Sequence, residues 1–377
     1  MSLKASRRSW NVLTLPILAM RAALDQPRTL GKQYSLIFEL KGPRMAQQRL
    51  KQQETIPDNL KRIMLEQVDR AIDRLGSKTG SKDRAIHEGR VSFKKLRAML
   101  RLVRFEIGEE TFKQENAFYR DAGRELAALR DTAVVADTLK KLVEDFAEYY
   151  AATDLKWLRK QLMKSRIGRR VDRKEVLQKV AKTVESSRER VKSFSLNIDS
   201  FSAVGPGLRR VYSKGRECFE EVRREPLAES LHELRKQVKH LSYQIAVLNP
   251  IWPKVLEAHE FELQKLSDYL SEDHDLVLLK TSVFEHANLH SQLEDGEGLI
   301  EIIGLRREQL QKKAIALGAR LYAEEPESFV GRFQTYWQEW RPDSVAGLGL
   351  DADGSQVAGS SVEEPGEKAS AMGEAGN

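Results

Sequence analysis

Two segments that lie 145 residues apart carry the same order of basic and apolar residues. Residues 86–103 have the sequence IHEGRVSFKKLRAMLRLV, and residues 231–248 have the sequence LHELRKQVKHLSYQIAVL. The matched positions are His87 with His232, Glu88 with Glu233, Arg90 with Arg235, Lys94 with Lys239, and Leu96 with Leu241. In both segments the apolar residues keep helical spacing on the side opposite to the basic ones.

A second matched pair follows downstream of each basic segment. At a shift of 144, Arg130-Asp131 aligns with His274-Asp275, and each dipeptide is predicted to lie at a break between two helices. Two features that recur in order at nearly one offset predict an internal duplication. The predicted architecture is therefore two pseudo-symmetric helical bundles, whose pseudo-two-fold relation can bring the two basic helices together at a basic central surface.

The rest of the chain also favours helices. Apolar residues recur at helical spacing along most of its length and strand-like segments are nearly absent, which predicts an all-α fold. The predicted domains are an N-terminal extension at 1–36, a helical domain at 37–340 with halves at about 57–194 and 208–340, and a disordered acidic tail at 341–377. Predicted helices include 83–107, 251–271, 273–291 and 326–340, and a short strand or extended arm is predicted at 34–42.

The first basic segment predicts a helix with one strongly cationic face. Six cationic or potentially cationic residues follow one another in steps of three or four, within an arc of roughly 100°. They are His87, Arg90, Lys94, Arg97, Arg101 and Arg104. Like charges at this spacing repel one another, so an anionic ligand is the simplest explanation. The alternative is a solvated face that pairs with acids from neighbouring helices.

The formal charge of the 377-residue chain is +7, but it is unevenly distributed. From Pro342 onward seven acidic residues oppose one lysine, Lys368, so the tail carries −6 and residues 1–341 carry +13. A basic body favours polyanions or anionic surfaces as partners. The single cysteine, Cys218, excludes an intramolecular disulfide, fits a reducing cytoplasm and is expected at a packed helix position. No run of 18 apolar residues occurs, so no membrane-spanning helix is expected.

No sequence pattern predicts catalysis or a bound metal. P-loop, nucleophile-elbow and zinc-type cysteine patterns are absent from the sequence, so neither a cofactor nor enzymatic activity is expected. His286 and His290 have the spacing of two ligands on one helix face, but no third ligand is obvious and a surface helix is favoured. His87 and His232 lie among cations, which opposes binding of a divalent metal.

The duplicated pattern resembles the CHAD domain, the conserved-histidine α-helical domain. The resemblance rests on the H-x-x-R motif with further basic residues on the same helix, followed downstream by Arg-Asp or His-Asp. It covers about residues 37–340. It implies a non-catalytic helical domain that binds inorganic polyphosphate, often as a targeting module, here in the cytoplasm and on polyphosphate granules. Two positions depart from the family pattern: Gly89 stands where an apolar residue is common, and Ser242 where a basic residue is common.

The resemblance implies that the basic groups of both copies contact polyphosphate. The expected binding residues are His87, Arg90, Lys94, Lys95, Arg97, Arg101, Arg130, His232, Arg235, Lys236, Lys239, His240 and His274. Arginine can hold phosphate oxygens in bidentate fashion, and lysine acts as a point charge. His87 and His232 either donate to phosphate when protonated or cap and pack locally. Asp131 and Asp275 are expected to cap the helices that follow them.

Two other functions stay open on the sequence alone. The first is non-specific nucleic-acid binding, because any basic stripe attracts phosphates. Single-strand binders usually add aromatic stacking platforms, and Tyr243 is the only aromatic residue near the cationic positions of these two helices, apart from Phe93 on the apolar face. The second is a helical scaffold that presents the tail or docks a partner protein.

Overall fold

The computed structural model of the protein describes residues 48–77, 79–129, 131–145, 173–287 and 294–341. Within these ranges the regular structure is helical and no strand is present, which confirms the all-α fold class. The N-terminal extension, the predicted strand at 34–42 and the tail beyond Arg341 lie outside the described residues.

The described helices fall into two groups, one on each side of the boundary predicted between the halves 57–194 and 208–340. The first group is α1 Ile56–Gly76, α2 Lys82–Leu102, α3 Arg104–Ile107, α4 Glu109–Ala127, α5 Asp131–Asp145, α6 Arg173–Glu185 and α7 Ser187–Lys192. The second group is α8 Gly205–Arg224, α9 Ala228–Leu248, α10 Pro253–Ala287, α11 Glu294–Leu321 and α12 Pro326–Trp340. Short 3₁₀ turns at Phe201–Ala203 and Asn249–Ile251 precede α8 and α10.

The two basic helices, α2 and α9, pack against each other. α2 also contacts α1 and α4, while α9 contacts α8 and α10. Inside the α2–α9 contact, the Gln244 side chain donates to the Ala98 carbonyl oxygen at 3.0 Å. The apolar faces predicted for both helices are buried, for example at Phe93 and Leu241. The helices that carry the repeated pattern therefore meet directly, while the internal duplication itself stays a prediction.

Local sequence signals explain where α1 and α2 begin. The Thr55 hydroxyl caps α1 by accepting from the Asp58 amide at 3.2 Å, and Pro57 occupies the first turn, as the sequence predicts. Ser81 caps α2 in the same way through the Arg84 amide. Gly89, the first departure from the family pattern, is buried in α2. A Cβ atom there would lie 2.9 Å from Leu75 Cδ2, so close packing against α1 explains the glycine.

The prediction of a helix break at His274-Asp275 is wrong. α10 runs without interruption from Pro253 to Ala287, so His274 and Asp275 lie inside one long helix. The sequence around them contains no glycine or proline, and Leu270, Leu276 and Leu279 continue one buried stripe. Asp275 therefore does not cap a helix. In the first half the chain does divide, because α4 ends at Ala127 and α5 begins at Asp131.

Two further expectations concern the position of Cys218 and the absence of membrane-spanning helices. Cys218 is buried in α8, which confirms the packed position expected for it. Among the helices of the described ranges, none combines the length and apolar character that crossing a bilayer requires.

Gly207 on α8 allows a backbone contact between the two groups of helices. A Cβ atom at this position would lie 2.6 Å from the Arg101 carbonyl oxygen and would overlap the Leu102 carbonyl group. We expect Gly207→Ala to lower the free energy of unfolding by about 2 kcal/mol or more, because backbone atoms cannot rotate out of the way. Urea denaturation measures this change.

Gly304→Ala in α11 is the matched control, because nothing lies within 4 Å of a Cβ atom there. Alanine favours a helix by about 1 kcal/mol over glycine, so this variant should be as stable as the wild type or slightly more stable. Equal stability changes at both glycines would contradict the close contact between α2 and α8.

Candidate functional site

α2 presents its basic residues along the side that faces away from the core. The residues Phe93, Leu96 and Leu100 are buried. On the other side His87 is exposed, while Arg90, Lys94, Arg97 and Arg101 are each partly buried. The cationic row predicted from the sequence therefore extends from His87 to Arg101, and four of its members are shielded on one side by neighbouring helices. Arg104, predicted as its last member, lies in α3 instead, where its guanidinium group pairs with Glu109.

The neighbouring helix α4 holds three of these guanidinium groups with neutral oxygen atoms. Arg97 Nε and Arg101 Nη1 both donate to Asn116 Oδ1, at 3.0 Å and 2.9 Å. Arg101 Nη1 also donates to the Arg97 carbonyl oxygen at 2.8 Å. Arg90 Nη1 donates to the Gly123 carbonyl oxygen at 3.1 Å. The Asn116 oxygen fixes the positions of the Arg97 and Arg101 guanidinium groups without adding a negative charge.

The charges in this row act on one another. The pKa of Arg101 falls to about 9, first because the group is buried and then because Arg97 and Arg104 lie nearby. Burial also lowers the pKa of Arg97, and the charges of Arg120 and Arg124 on α4 lower it further, against the opposing effect of Asp121. An anion placed over this row would relieve the repulsion between the cations.

α9 and α10 supply the second set of basic groups. Arg235 Nε donates to Ser271 Oγ on α10 at 3.0 Å, which is again a neutral acceptor. Lys236 forms an ion pair with Glu233 one turn earlier on α9. The rings of His232 and His274 lie against each other, with their centroids 4.7 Å apart. The α10 residue His274 therefore joins the α9 residues, although the helix break predicted for it is absent.

The basic groups of α2 and those of α9 and α10 both act on two histidines, His240 and His274. His240 on α9 is only 7% exposed, and its pKa is lowered by burial and then by Arg101 and Arg97 of α2. The pKa of His274 falls to about 4 through burial and the charges of Arg235, His232, Lys239 and Lys94. Residues of α2, α9 and α10 thus lie within electrostatic reach of one another.

We call this region the basic surface. It consists of Arg90, Lys94, Arg97, Arg101, His232, Arg235, Lys236, Lys239 and His274, with the exposed His87 extending the α2 row and His240 buried beneath.

Lys95 is the predicted binding residue that the structure does not bring to the basic surface. Its Nζ atom donates to Gln48 Oε1 at 2.6 Å and lies 6.0 Å from the centre of the Tyr243 ring. Burial, followed by the charge of Arg70, lowers its pKa to about 8. Lys95 follows Lys94 directly, so it lies about 100° further around the helix and faces a different neighbour.

The other predicted residues have simple positions. Arg130 lies outside the described residues, and Asp131 is described as the first residue of α5. Ser242, the second departure from the family pattern, is buried. His290 lies outside the described residues and His286 is described only as part of α10. In the described ranges, no group of three or more His, Cys, Asp and Glu residues could hold a metal ion.

Sequence reasoning missed Arg120 and Arg124 as part of the site. They lie one turn apart on α4, close enough to Arg97 to lower its pKa, and both pair with Asp121. Their spacing of four residues indicates that both lie on one side of a helix. Their position near the α2 row depends on the packing of α4 against α2, which the spacing does not predict.

Three basic residues next to α10 differ from Arg97 and Arg101, because carboxylates pair with them. Glu272 pairs with Lys141 at 2.8 Å and with Arg306, and Asp273 pairs with Arg307 at 3.0 Å. These pairs match the alternative of a solvated face neutralised by neighbouring acids. Arg97 and Arg101 are instead held by the amide oxygen of Asn116, and Arg101 also by the Arg97 carbonyl oxygen.

The histidines of the basic surface should make the fold less stable in acid. His232, His240 and His274 all have a pKa below 6.5 in the folded chain, chiefly because burial disfavours the imidazolium form. These histidines therefore become protonated at a higher pH in the unfolded chain than in the folded chain. Their contribution to the free energy of unfolding is lost as pH falls from about 6.5 towards 4. Urea denaturation across this range, compared between the wild type and His240→Gln, should show a shallower decline in the variant. Identical pH profiles would contradict a buried, neutral His240.

Comparison with known proteins gives one family. The sequence model of the CHAD domain matches residues 62–283, which include both basic helices and His274. No curated protein matches the chain.

Proposed function

Because the chain belongs to the CHAD domain family, we propose that its basic surface binds inorganic polyphosphate and that the protein has no catalytic role. The observation that carries this proposal is the pair Arg97 and Arg101, whose guanidinium groups share the neutral oxygen of Asn116. Both groups are held in place by contacts that leave their positive charge uncancelled. Such groups are suited to a ligand that supplies the negative charge itself.

The shape of the basic surface fits a chain of phosphates better than a single one. Residues three and four apart on a helix lie about 5–6 Å from one another, so the α2 row offers cations at regular intervals. A linear polyphosphate presents anionic oxygens at every unit along its length. Arginine can bind two of these oxygens at once, while Lys94 and Lys239 contribute point charges.

Nucleic acid is the competing polyanion. Its backbone phosphates would also be attracted to the basic surface, but stacking on aromatic side chains usually adds affinity for single strands. Phe118 and Phe93 pack against Tyr119 in the first half, and these rings serve the core of the domain. We therefore propose polyphosphate as the preferred ligand, and a role in directing the protein to polyphosphate granules in the cytoplasm.

The proposal that the protein is not an enzyme follows from the chemistry available. Phosphoryl transfer depends on positioned metal ions and on groups that handle a proton. The basic surface consists mainly of groups that stay cationic near neutral pH, with His232 paired to His274 rather than to a carboxylate. Such a surface binds phosphates without providing a path for their transfer.

Calorimetric titration of the full chain with long-chain polyphosphate, in the presence of a chelator, tests the binding proposal. We expect saturable binding that weakens steeply with salt, and competition that ranks polyphosphate above single-stranded DNA and heparin. A gel of the recovered polyphosphate should show unchanged chain length. Preferred binding of DNA would favour the nucleic-acid alternative, and shortened polyphosphate would overturn the non-catalytic role.

A further inference from the structure

A groove of about 1020 Å³ lies between the first half of α8 and the second half of α12. It does not include any residue of the basic surface. The rings of Phe201 and Trp337 lie along it, with centroids 5.8 Å apart, together with Val330. Phe105, which is 57% exposed, lines the groove as well. Phe201 and Trp337 are themselves buried, so the apolar surface that the groove leaves exposed comes chiefly from Phe105 and the half-buried Val330.

One wall of the groove is cationic. Arg209, Arg210 and Lys214 follow one another along α8 and are all exposed. Arg209 pairs with Glu327 and Lys214 pairs with Glu217 at 2.8 Å. The charge of Arg210 reaches Glu109 at the start of α4 and lowers the pKa of that carboxyl group. The residues that line the groove include these three cations and one acid, Glu217, so the lining carries a net positive charge. A ligand that matches this charge and the apolar lining combines apolar side chains with carboxylates.

The C-terminal part of the chain leaves the described structure beside this groove. Trp337 and Gln338 line the groove, and α12 ends two residues later at Trp340. Arg341 pairs with Asp199 at 3.0 Å, and the next residue, Ser200, also lines the groove. The remaining 36 residues, 342–377, therefore start at its edge.

The first part of that segment has the composition the groove requires. Residues 345–353 have the sequence VAGLGLDAD, in which Val345, Leu348 and Leu350 precede Asp351 and Asp353 and no basic residue occurs. An extended chain advances at most about 3.6 Å per residue, so seven residues from Arg341 to Leu348 can reach about 25 Å. The other end of the chain lacks this match, because residues 1–47 contain eight basic and two acidic residues.

We propose that residues 345–353 dock in cis into the groove between α8 and α12. Their apolar side chains cover Phe105 and Val330. Asp351 and Asp353 face the cationic wall of α8. The acidic tail is then held at a site of its own rather than on the basic surface. This proposal does not depend on the ligand of the basic surface.

Photocrosslinking within the full chain tests the docking. A benzoylphenylalanine residue in place of Leu348 should, on irradiation, form crosslinks within one molecule, and mass spectrometry should locate them in residues 200–217 or 330–338. Arg210→Glu should lower the yield at least fivefold, because it reverses the charge of the cationic wall. Arg223→Glu changes the charge equally at the far end of α8 and should leave the yield unchanged. Benzoylphenylalanine in place of Ala371 serves as a position control and should give no crosslink to the groove.

Three results would overturn the proposal. Crosslinks from position 348 that spread over the surface, or that fall on the basic surface, would show that the groove does not hold the segment. Crosslinks between isotopically distinct copies would assign the groove to a second molecule. Equal yields in Arg210→Glu and the wild type would show that the cationic wall takes no part.

Discussion

Replacing Lys94, Arg97 and Lys239 together by alanine is expected to weaken binding of long-chain polyphosphate by about 10²- to 10³-fold. A hydrogen bond to a charged group contributes about 1.5 kcal/mol or more, and about 1.4 kcal/mol corresponds to a tenfold change in affinity. The charge of Lys94 on α2 lowers the pKa of both His240 and His274, and Lys239 lies on α9, so the three replaced residues belong to both basic helices. Titration calorimetry at fixed salt measures the change.

The fold of this variant should survive. Asn116 Oδ1 loses the Arg97 donor but keeps the bond from Arg101, so this acceptor is not left without a partner. None of the three replaced side chains belongs to the buried core. Helicity and the urea midpoint should therefore stay close to the wild-type values. Loss of folding together with loss of binding would mean that these side chains act as structural partners.

A matched control removes the same charge elsewhere. Lys140, Lys192 and Lys312 are exposed and pair with acids on their own helices. Their combined replacement by alanine should change affinity little, and the slope of log affinity against log salt should stay near that of the wild type. The variant of the basic surface should lower that slope by about 3, because each phosphate contact contributes about one unit. Equal losses in both variants would indicate a diffuse charge effect rather than a site.

Affinity is expected to rise sharply with polyphosphate length and then to level off once one chain spans α2 and α9. After the first helix is engaged, contact with the second becomes intramolecular, and linked weak sites gain about 10²–10⁴ in affinity. Arg235→Ala with Lys236→Ala and Lys239→Ala should remove this gain for long chains while weak binding of short chains remains. Calorimetry against polyphosphates of defined length measures both regimes.

The corresponding variant of α2, with Arg90, Lys94 and Arg97 replaced by alanine, should lower affinity more than the α9 variant. Lys236 on α9 already pairs with Glu233, and Ser242 is buried, so α9 offers fewer cations to a ligand. An affinity that depends only on total phosphate, with no length threshold and no difference between the two variants, would contradict a site built from two helices.

The spacing of apolar residues predicts the helices well where residues that start or break helices agree with it. The predicted helix 326–340 has the observed bounds of α12, and the predicted basic helix differs from α2 mainly at its end, where the chain divides at Val103 before α3. The predicted break in α10 is wrong because the second half has no glycine or proline at the position where the first half divides between α4 and α5.

The sequence predicts only the part of the site that lies on one face of a single helix. Steps of three and four residues correctly placed Arg90, Lys94, Arg97 and Arg101 on one side of α2. The sequence could not show that Lys95 faces Gln48, that His240 is buried between the basic helices, or that Asn116 holds two arginines. Each of these facts depends on which helix packs beside which residue, and that information lies in contacts between distant parts of the chain.

The contact at Gly207 has a consequence for the temperature dependence of binding. With no side chain between α8 and the end of α2, the two helices have little room to slide, and the contact between Gln244 and Ala98 joins α2 to α9 from the other side. In the proposed complex the basic surface is then a rigid template, and the flexible partner is the polyphosphate chain. Because the protein buries little additional apolar surface when it binds such a ligand, the change in heat capacity should be small. The binding enthalpy measured by calorimetry should therefore change little with temperature.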